Sequence, residues 1–515
     1  MRAPAVLALP LSLPTRVRGL SRGLFALALL AAAGAAQAFG FDAVAARAQA
    51  AAAAPYAAHD AALPAELAAL SYDQYRDIRY RPDHALWHGE QLPFEVQFFH
   101  AGTAQNEPVR VAEVDARGVV HPLRFDRSDF DYGANHLHPA DWGELGVAGL
   151  RIHYALNRPD YKDELIVFLG ASYFRALGGG QGYGLSARAL ALDTPQAEEF
   201  PRLTAFWIEK PAPQAKSIVI LARLDSKRAA GAYRFEVFPG VETRIEVRAR
   251  LFLRAGVTTL GLAPLTSMFL SGPNQPRAGD FRPAVHDSDG LMIAGGDGEW
   301  LWRPLIDPAQ PLTTSFALTS LRGFGLMQRE RRFAAYEDAE ARYERRPSVW
   351  ITPHGDWGPG RVELVQLPTA DETNDNIVAY WVPAQAPAPG AALDIAYEMR
   401  WQGAQQQRPP GAWVTQTRVG SGYWTLAPGE QQYVVDFEGP ALAALAPDAK
   451  VRAVVSAAHA RIVETNVFRV EATGAWRMTL RVAPDAAGAP AELRAFLQHD
   501  QDTLSETWTC VIPHP

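Results

Sequence analysis

Two acidic clusters offer the chemistry of this chain. His286-Asp287-Ser288-Asp289-Gly290 precedes the strand-like run Leu291-Met292-Ile293, and Asp371-Glu372-Thr373-Asn374-Asp375-Asn376 precedes Ile377-Val378-Ala379-Tyr380. Cleaving a glycosidic bond takes one carboxylic acid to protonate the leaving oxygen and one carboxylate to activate water or attack the anomeric carbon. Loops at the ends of sheet strands can hold such a pair rigidly. The same runs also suit tight turns or a structural ion site, and both readings stay open. A helix-flanked calcium loop is disfavoured, because no glutamate follows at the required offset. His286 could polarise a neighbouring carboxylate or serve a purely structural role at a strand end.

Other chemistries lose support. The chain has no H-E-x-x-H, C-x-x-C, G-x-S-x-G or phosphate-loop lysine, which removes the usual signatures of zinc, serine-nucleophile and nucleotide-driven enzymes. Ala176-Leu177-Gly178-Gly179-Gly180-Gln181-Gly182-Tyr183-Gly184 is glycine-rich, but no helix pattern follows to present amide groups to a phosphate, so it reads as a flexible turn or lid. The formal charge of -7 and the lack of a long Lys/Arg block argue against nucleic acid and anionic membranes and for an uncharged ligand. Thirteen tryptophans supply faces on which sugars can stack, though indoles also fill cores. Trp300, Trp302, Trp350, Trp357 and Trp381, with Tyr173, Tyr183 and Tyr343, fall nearest the polar motifs. The single cysteine, Cys510, sits among strand-forming residues and reads as a buried, inert thiol.

The elements that must position these residues are mostly strands. Period-two alternation marks Phe94-Glu95-Val96-Gln97-Phe98, Tyr233 to Phe238 and Thr243 to Val247, the pattern of half-buried strands. Turn residues separate them at sandwich-like spacing, which predicts an all-β protein. Helices are expected over Ser71 to Ile78 and Phe333 to Tyr343, with a short one within Phe41 to Ala53. The proline-dense 384–391 reads as a linker. It divides a groove-bearing sandwich over 67–383 from a smaller immunoglobulin-type sandwich over 392–515, whose first strand is Leu393 to Trp401. At the start, Arg2, Arg16, Arg18 and Arg22 precede the apolar run Leu24 to Ala33, and Ala36-Gln37-Ala38 follows. This is the pattern of a signal peptide over 1–38, cleaved before Phe39, of the general secretory type because no two arginines are adjacent. Residues 39–66 then form an alanine-rich leader against the body.

Several ordered blocks resemble one family. Ser71-Tyr72-Asp73-Gln74-Tyr75-Arg76-Asp77-Ile78, Leu92 to His100, Gly170-Ala171-Ser172-Tyr173-Phe174-Arg175, Tyr183 to Arg188, Pro264 to Phe269, the two acidic clusters, Gly323-Phe324-Gly325-Leu326 and Tyr343 to Ser348 are similar to blocks of the OpgG/OpgD (MdoG/MdoD) family of periplasmic glucan biosynthesis proteins. The resemblance covers nearly the whole chain after residue 38. It implies a galactose-mutarotase-like β-sandwich joined to an immunoglobulin-like one, a periplasmic location, and β-1,2-glucan as the ligand. It further implies an anomer-inverting endo-β-1,2-glucanase or a cyclising transglycosylase, with a non-catalytic glucan scaffold for export and branching as the alternative. By position, Asp375 would be the general acid and Asp287 the general base, with Asp289 the alternative base. An inverting pair stands roughly 6.5 to 9.5 Å apart, or further with a proton relay. Asp375 is expected in a less solvated spot and Asp287 ionised. Trp300, Trp302, Arg303, Tyr343, Arg346, Trp350 and Trp357 would bind glucose units. The resemblance calls for no metal and no cofactor, points to the membrane glucan synthase as a partner, and leaves a homodimer open. The missing arginine pair leans towards the G-type member.

Overall fold

The computed structural model describes residues 38–513, apart from 59–62, 104, 106, 424, 447 and 486–488. The arginines and apolar run of the expected signal peptide lie outside the described residues. Two large sheets form the first sandwich. One has ten strands, running in the order Phe94–His100, Val147–Arg158, Tyr161–Leu169, Tyr173–Ala176, Ser186–Arg188, Leu260–Ser267, Ile377–Pro383, Gly360–Gln366 and Leu312–Leu318, with Leu190–Leu192 beside Leu260–Ser267. The other has fifteen strands, and its central portion from Gly290–Gly295 through Ala229–Phe238 to Arg110–Val114 faces the first sheet across the main core.

Alternation explains which side chains enter that core. In Phe94–His100, Phe94, Val96 and Phe98 point inward, while Glu95, Gln97 and Phe99 fall on the other face of the pleat. In Tyr173–Ala176, Phe174 and Ala176 are buried, and Tyr173 and Arg175 share the outer face. Register lines up Gln97, Arg151, Val167 and Arg175 across four strands, so the ten-stranded sheet presents a polar row outward.

The second core reuses the back of the long sheet. A four-stranded sheet, in the order Trp413–Val419, Gln431–Glu438, Trp476–Pro484 and Ala460–Arg469, covers Ala491–His499 and Thr507–Ile512. The long sheet runs on without a break, because Trp300–Pro304 pairs in parallel with Thr507–Ile512. Strand Gly290–Gly295 therefore sends Leu291 and Ile293 into the first core, and Met292 and Ala294 into the second.

The strand pairing corrects the expected division. Ala392–Gln402 hydrogen-bonds between Thr243–Leu253 and Ser348–Pro353, and its Ile395, Tyr397, Met399 and Trp401 lie in the first core. The proline-dense 384–391 joins two layers of one sandwich, and the passage between cores falls after Gln402.

The helical expectations fare unevenly. Phe41–Ala52 is a helix whose Phe41, Val44, Ala45 and Ala48 form one stripe against Trp207, Leu221 and Phe252 of the long sheet. Tyr72–Arg76 is helical and opened by a capping box between Ser71 and Gln74. Phe333 to Tyr343 is not a helix. Only the 3-10 turns Phe333–Ala335 and Tyr343–Arg345 form, with Glu337 and Arg342 at positive φ between them. Asp338 explains the break, since its carboxylate takes the N–H groups of Glu340 and Ala341 and pairs with Arg282, which competes with helical hydrogen bonding. Among the described residues no helix is long and apolar enough to cross a membrane. Cys510 is buried and free, and burial pushes its thiol up to about 11.

Candidate active site

Asp287 follows the two-residue strand Val285–His286 and precedes Gly290–Gly295. Its N–H donates to the Met268 carbonyl at 2.8 Å, and the hydroxyls of Ser267 and Ser288 bond at 2.9 Å. The Asp287 carboxylate is buried and ion-paired with Arg346, whose guanidinium lies 4.0 Å from the centre of the Tyr343 ring. Burial raises Asp287 to about 6 against the pull of Arg346, and the charge of Asp375 adds to the rise. The two carboxyls are therefore within electrostatic reach of one another.

Asp375 ends a loop fastened at several points. Asn376 behind it donates to the carbonyls of Phe269 (2.9 Å) and Leu367 (3.0 Å) and accepts from Phe269 N–H at 2.9 Å. Glu372 pairs with Arg282, which also holds Asp280 and Asp338. Asp371 accepts the Thr373 N–H at 2.9 Å, so the turn reading holds for this part of the cluster. Asp375 itself is open to solvent on one side. Protein crowds its other sides, and that loss of hydration raises its pKa although Arg175, Arg188 and Arg346 oppose the rise.

His286 belongs to the scaffold. Its Nδ1 is 2.9 Å from Gln328 Oε1, and its ring stacks on Phe269 at 5.4 Å and meets Tyr336 edge-on. Burial holds it down at about 4, so it stays neutral and turns towards Gln328. Asp289 points elsewhere than Asp287. Its Oδ2 takes the N–H groups of Arg329 and Glu330, and it lines a small cleft with Trp302, Pro304 and Thr415. Burial raises its pKa, and the charges of Arg329 and Arg331 oppose that rise. The geometry favours Asp287 as the partner of Asp375. Asp287 is nevertheless raised by burial, which departs from the expectation of a plainly ionised base.

Near these two carboxyls, the outer face of the ten-stranded sheet carries a groove of about 1140 Å³, lined by Tyr75, Phe99, Arg151, Glu164, Arg175 and Tyr183 among others. Arg175 links the two, since it lies 5.3 Å from the Tyr183 ring centre and acts on both carboxyls. Arg188, buried in strand Ser186–Arg188, donates to Thr266 at 2.9 Å, pairs with Glu198 and lies over Tyr173 at 4.8 Å. The glycine-rich segment closes this end of the groove as a tethered loop. Gly182 N–H donates to the Arg345 carbonyl, Gly180 to Asn157 and Gln181 to the Trp401 carbonyl. A Cβ on Gly184 would stand 2.8 Å from that of Arg346, so only glycine allows this approach.

Of the seven residues expected to bind sugar, Tyr343 and Arg346 lie at the acid pair. The tryptophans do not. Trp302 and Trp350 are buried in the second core, and Trp300 stacks on Trp350 at 5.7 Å. Period-two alternation sends Trp300 and Trp302 to the back of the sheet, away from the groove. Trp357 packs edge-on against Tyr397 at the first core. Arg303 is buried and bonds to Thr509 and Glu492, which ties the two sandwiches together. Sequence reasoning missed Arg175 and Arg188 as members of the site. The available signal was charge inside strand-like runs, since an arginine within a buried strand needs a purpose.

The arrangement defines an all-β protein with two cores, a groove on the outer face of one sheet, and two carboxyls on which Arg175 of that groove acts. Comparison with known proteins names the family. Residues 39–512 match the family described as "Periplasmic glucan biosynthesis protein, MdoG", and the chain belongs to it. It is 52% identical over 497 residues to the glucans biosynthesis protein G of Ralstonia nicotianae, covering 95% of this chain and 98% of that protein. The Pseudomonas aeruginosa protein of the same name is 46% identical over 489 residues, covering 92% and 93%. That of Pectobacterium atrosepticum is 45% identical over 500 residues, covering 95% and 96%.

Proposed function

We propose that this chain is an exported enzyme of glucan biosynthesis that cleaves or transfers a β-1,2-glucan backbone with inversion, Asp375 acting as general acid and Asp287 as general base. The observation that supports it most is a pair of carboxyls on separate, well-fastened loops, both raised by burial and both acted on by Arg175, which lines a groove large enough for several sugar units. Asp375 has the raised pKa an acid needs, and an open side from which a glycosidic oxygen can approach. Asp287 would receive the proton of the attacking water or sugar hydroxyl, directly or through a relay, once a bound glucan draws Arg346 towards its hydroxyls. Arg175, Arg188 and Tyr183 would orient the chain by hydrogen bonds and stacking. Export rests on the basic and apolar leader, and the family match begins at Phe39, where the mature chain is expected to start.

Linear β-1,2-glucan incubated with the protein should yield shorter or cyclised products, with the new reducing end appearing first as the α-anomer by NMR. Asp375→Asn and Asp287→Asn should each lower the rate by about 10² to 10⁴ while glucan still binds. Equal rates in wild type and both variants would refute the assignment. The ion pair that occupies Asp287 favours a second reading, in which the groove holds glucan uncleaved for export and branching. Under that reading both variants restore glucan production in a deficient strain.

A further inference from the structure

The open edge of the first sandwich holds a second cavity, of about 520 Å³. It lies where the last strands of the two sheets meet, beside the backbone bond from Val109 to Val147. Its size falls in the roughly 300 to 1,000 Å³ range of small-molecule sites. The inner wall is apolar. Phe98, Val111 and Phe206 come from the main core, and Trp207 from the layer under the leader helix. The rim is cationic, built from Arg47, Arg110, Arg124 and Arg223, with Glu144 the one carboxylate on it.

Among the described residues no ion pair joins any of these four arginines, and in a chain whose net charge is -7 such a cluster is unexpected. Arg223 bonds only to the Thr204 hydroxyl. Burial lowers its pKa, the Asp225 carboxylate opposes that fall, and the neighbouring charges of Arg110, Arg47 and Arg254 add to it. Arg47 lies over Phe39 and Trp207 at 4.9 and 5.2 Å, which sets a cation at the mouth of the apolar wall. Unneutralised cations gathered at an apolar opening are stabilised by a ligand that brings both an anion and a hydrocarbon.

We infer that this edge cavity binds a single-chain anionic amphiphile, with a phosphate-type head on Arg47, Arg110, Arg124 and Arg223 beside Trp207 and an apolar tail reaching Phe98, Val111 and Phe206. Arginine suits such a head, because its planar fork matches phosphate oxygens two at a time. Phe98 also lines the glucan groove, so occupancy could be felt there through one strand.

The test titrates the full mature chain with dodecyl phosphate below its micelle concentration and follows tryptophan fluorescence, with Trp207→Phe assigning the signal. Saturable binding is expected, weakened at least tenfold in Arg110→Gln/Arg124→Gln and unchanged in Arg117→Gln, whose arginine pairs with Asp115 in an exposed turn. Dodecyl maltoside and inorganic phosphate should each bind far more weakly than dodecyl phosphate. Equal binding of either one, an unaffected double variant, or binding seen only with anionic lipid vesicles would each overturn the assignment. Should the double variant unfold, a diazirine-tailed alkyl phosphate on the wild type decides: cross-links to the peptides holding Phe98, Val111 or Phe206 uphold the site, and cross-links elsewhere reject it.

Discussion

Asp287 and Asp289 stand two residues apart, yet their surroundings give them different work. Both are pushed up to about 6 by burial, so the folded protein holds these protons more tightly than the unfolded chain, whose aspartates titrate near 3.8. Stability from the protonated forms is complete below about pH 4 and is lost as the pH rises to about 6. Asp289→Asn should therefore remove a stability loss of about 1 to 3 kcal/mol between pH 4 and pH 6, measured by urea unfolding across that range. Activity should follow the opposite sign at Asp287. The rate with β-1,2-glucan should climb through about pH 6 as the Asp287 base ionises, seen as the acid limb of the kcat/KM profile. Asp289→Asn should leave that limb in place, since Asp289 faces the inter-sandwich cleft.

Strands and loops impose the next level of constraint. Gly290 lets the Trp302 indole lie flat on the backbone, and a Cβ there would stand 2.1 Å from the ring. Gly290→Ala should cost about 1 to 3 kcal/mol of unfolding free energy by overpacking. Gly184 plays a related part for Arg346, and the glycine-rich segment, read as a flexible turn or lid, is a fastened contact. Arg282 clamps the loops of Asp280, Asp338 and Glu372. Arg282→Ala should free the Asp375 loop and lower kcat more than it raises KM, read from steady-state kinetics on β-1,2-glucan. The helix expected over Phe333 to Tyr343 failed for a cause that local propensity cannot contain, since Asp338 finds its partner Arg282 across 56 residues.

At the scale of the whole molecule the two cores share strands. Leu291 and Met292 are neighbours in sequence and belong to different cores, so neither sandwich can melt without exposing the back of the other. A buried, two-pronged ion pair between Arg329 and Glu506, at 2.6 and 3.0 Å, fastens the connection, with Arg329 3.5 Å from the Trp302 ring centre. Calorimetry should show one cooperative transition for both sandwiches, with matching calorimetric and van't Hoff enthalpies. Glu506→Gln should lower stability by about 3 to 5 kcal/mol, because Arg329 would be left buried without its counter-charge.

Local pattern was enough to read the β architecture, a short helix within Phe41 to Ala53, a helix beginning at Ser71, the burial of Cys510 and the two acidic clusters. Each rests on side-chain periodicity or on chemistry between near neighbours. Resemblance added the family and the choice of Asp287 with Asp375. Which way a side chain points was beyond it, because strands buried on both faces lose the alternation of polar and apolar residues that reveals a face. That is why Trp300 and Trp302 read as sugar platforms when they fill the second core, and why Ala392–Gln402 read as the start of a new domain when it completes the first. The tertiary structure alone decided these points, and it alone brought Arg175, Arg188 and Arg346 to Asp287 and Asp375 from distant strands and turns, where the low hydration of a crowded groove makes their charges act on one another.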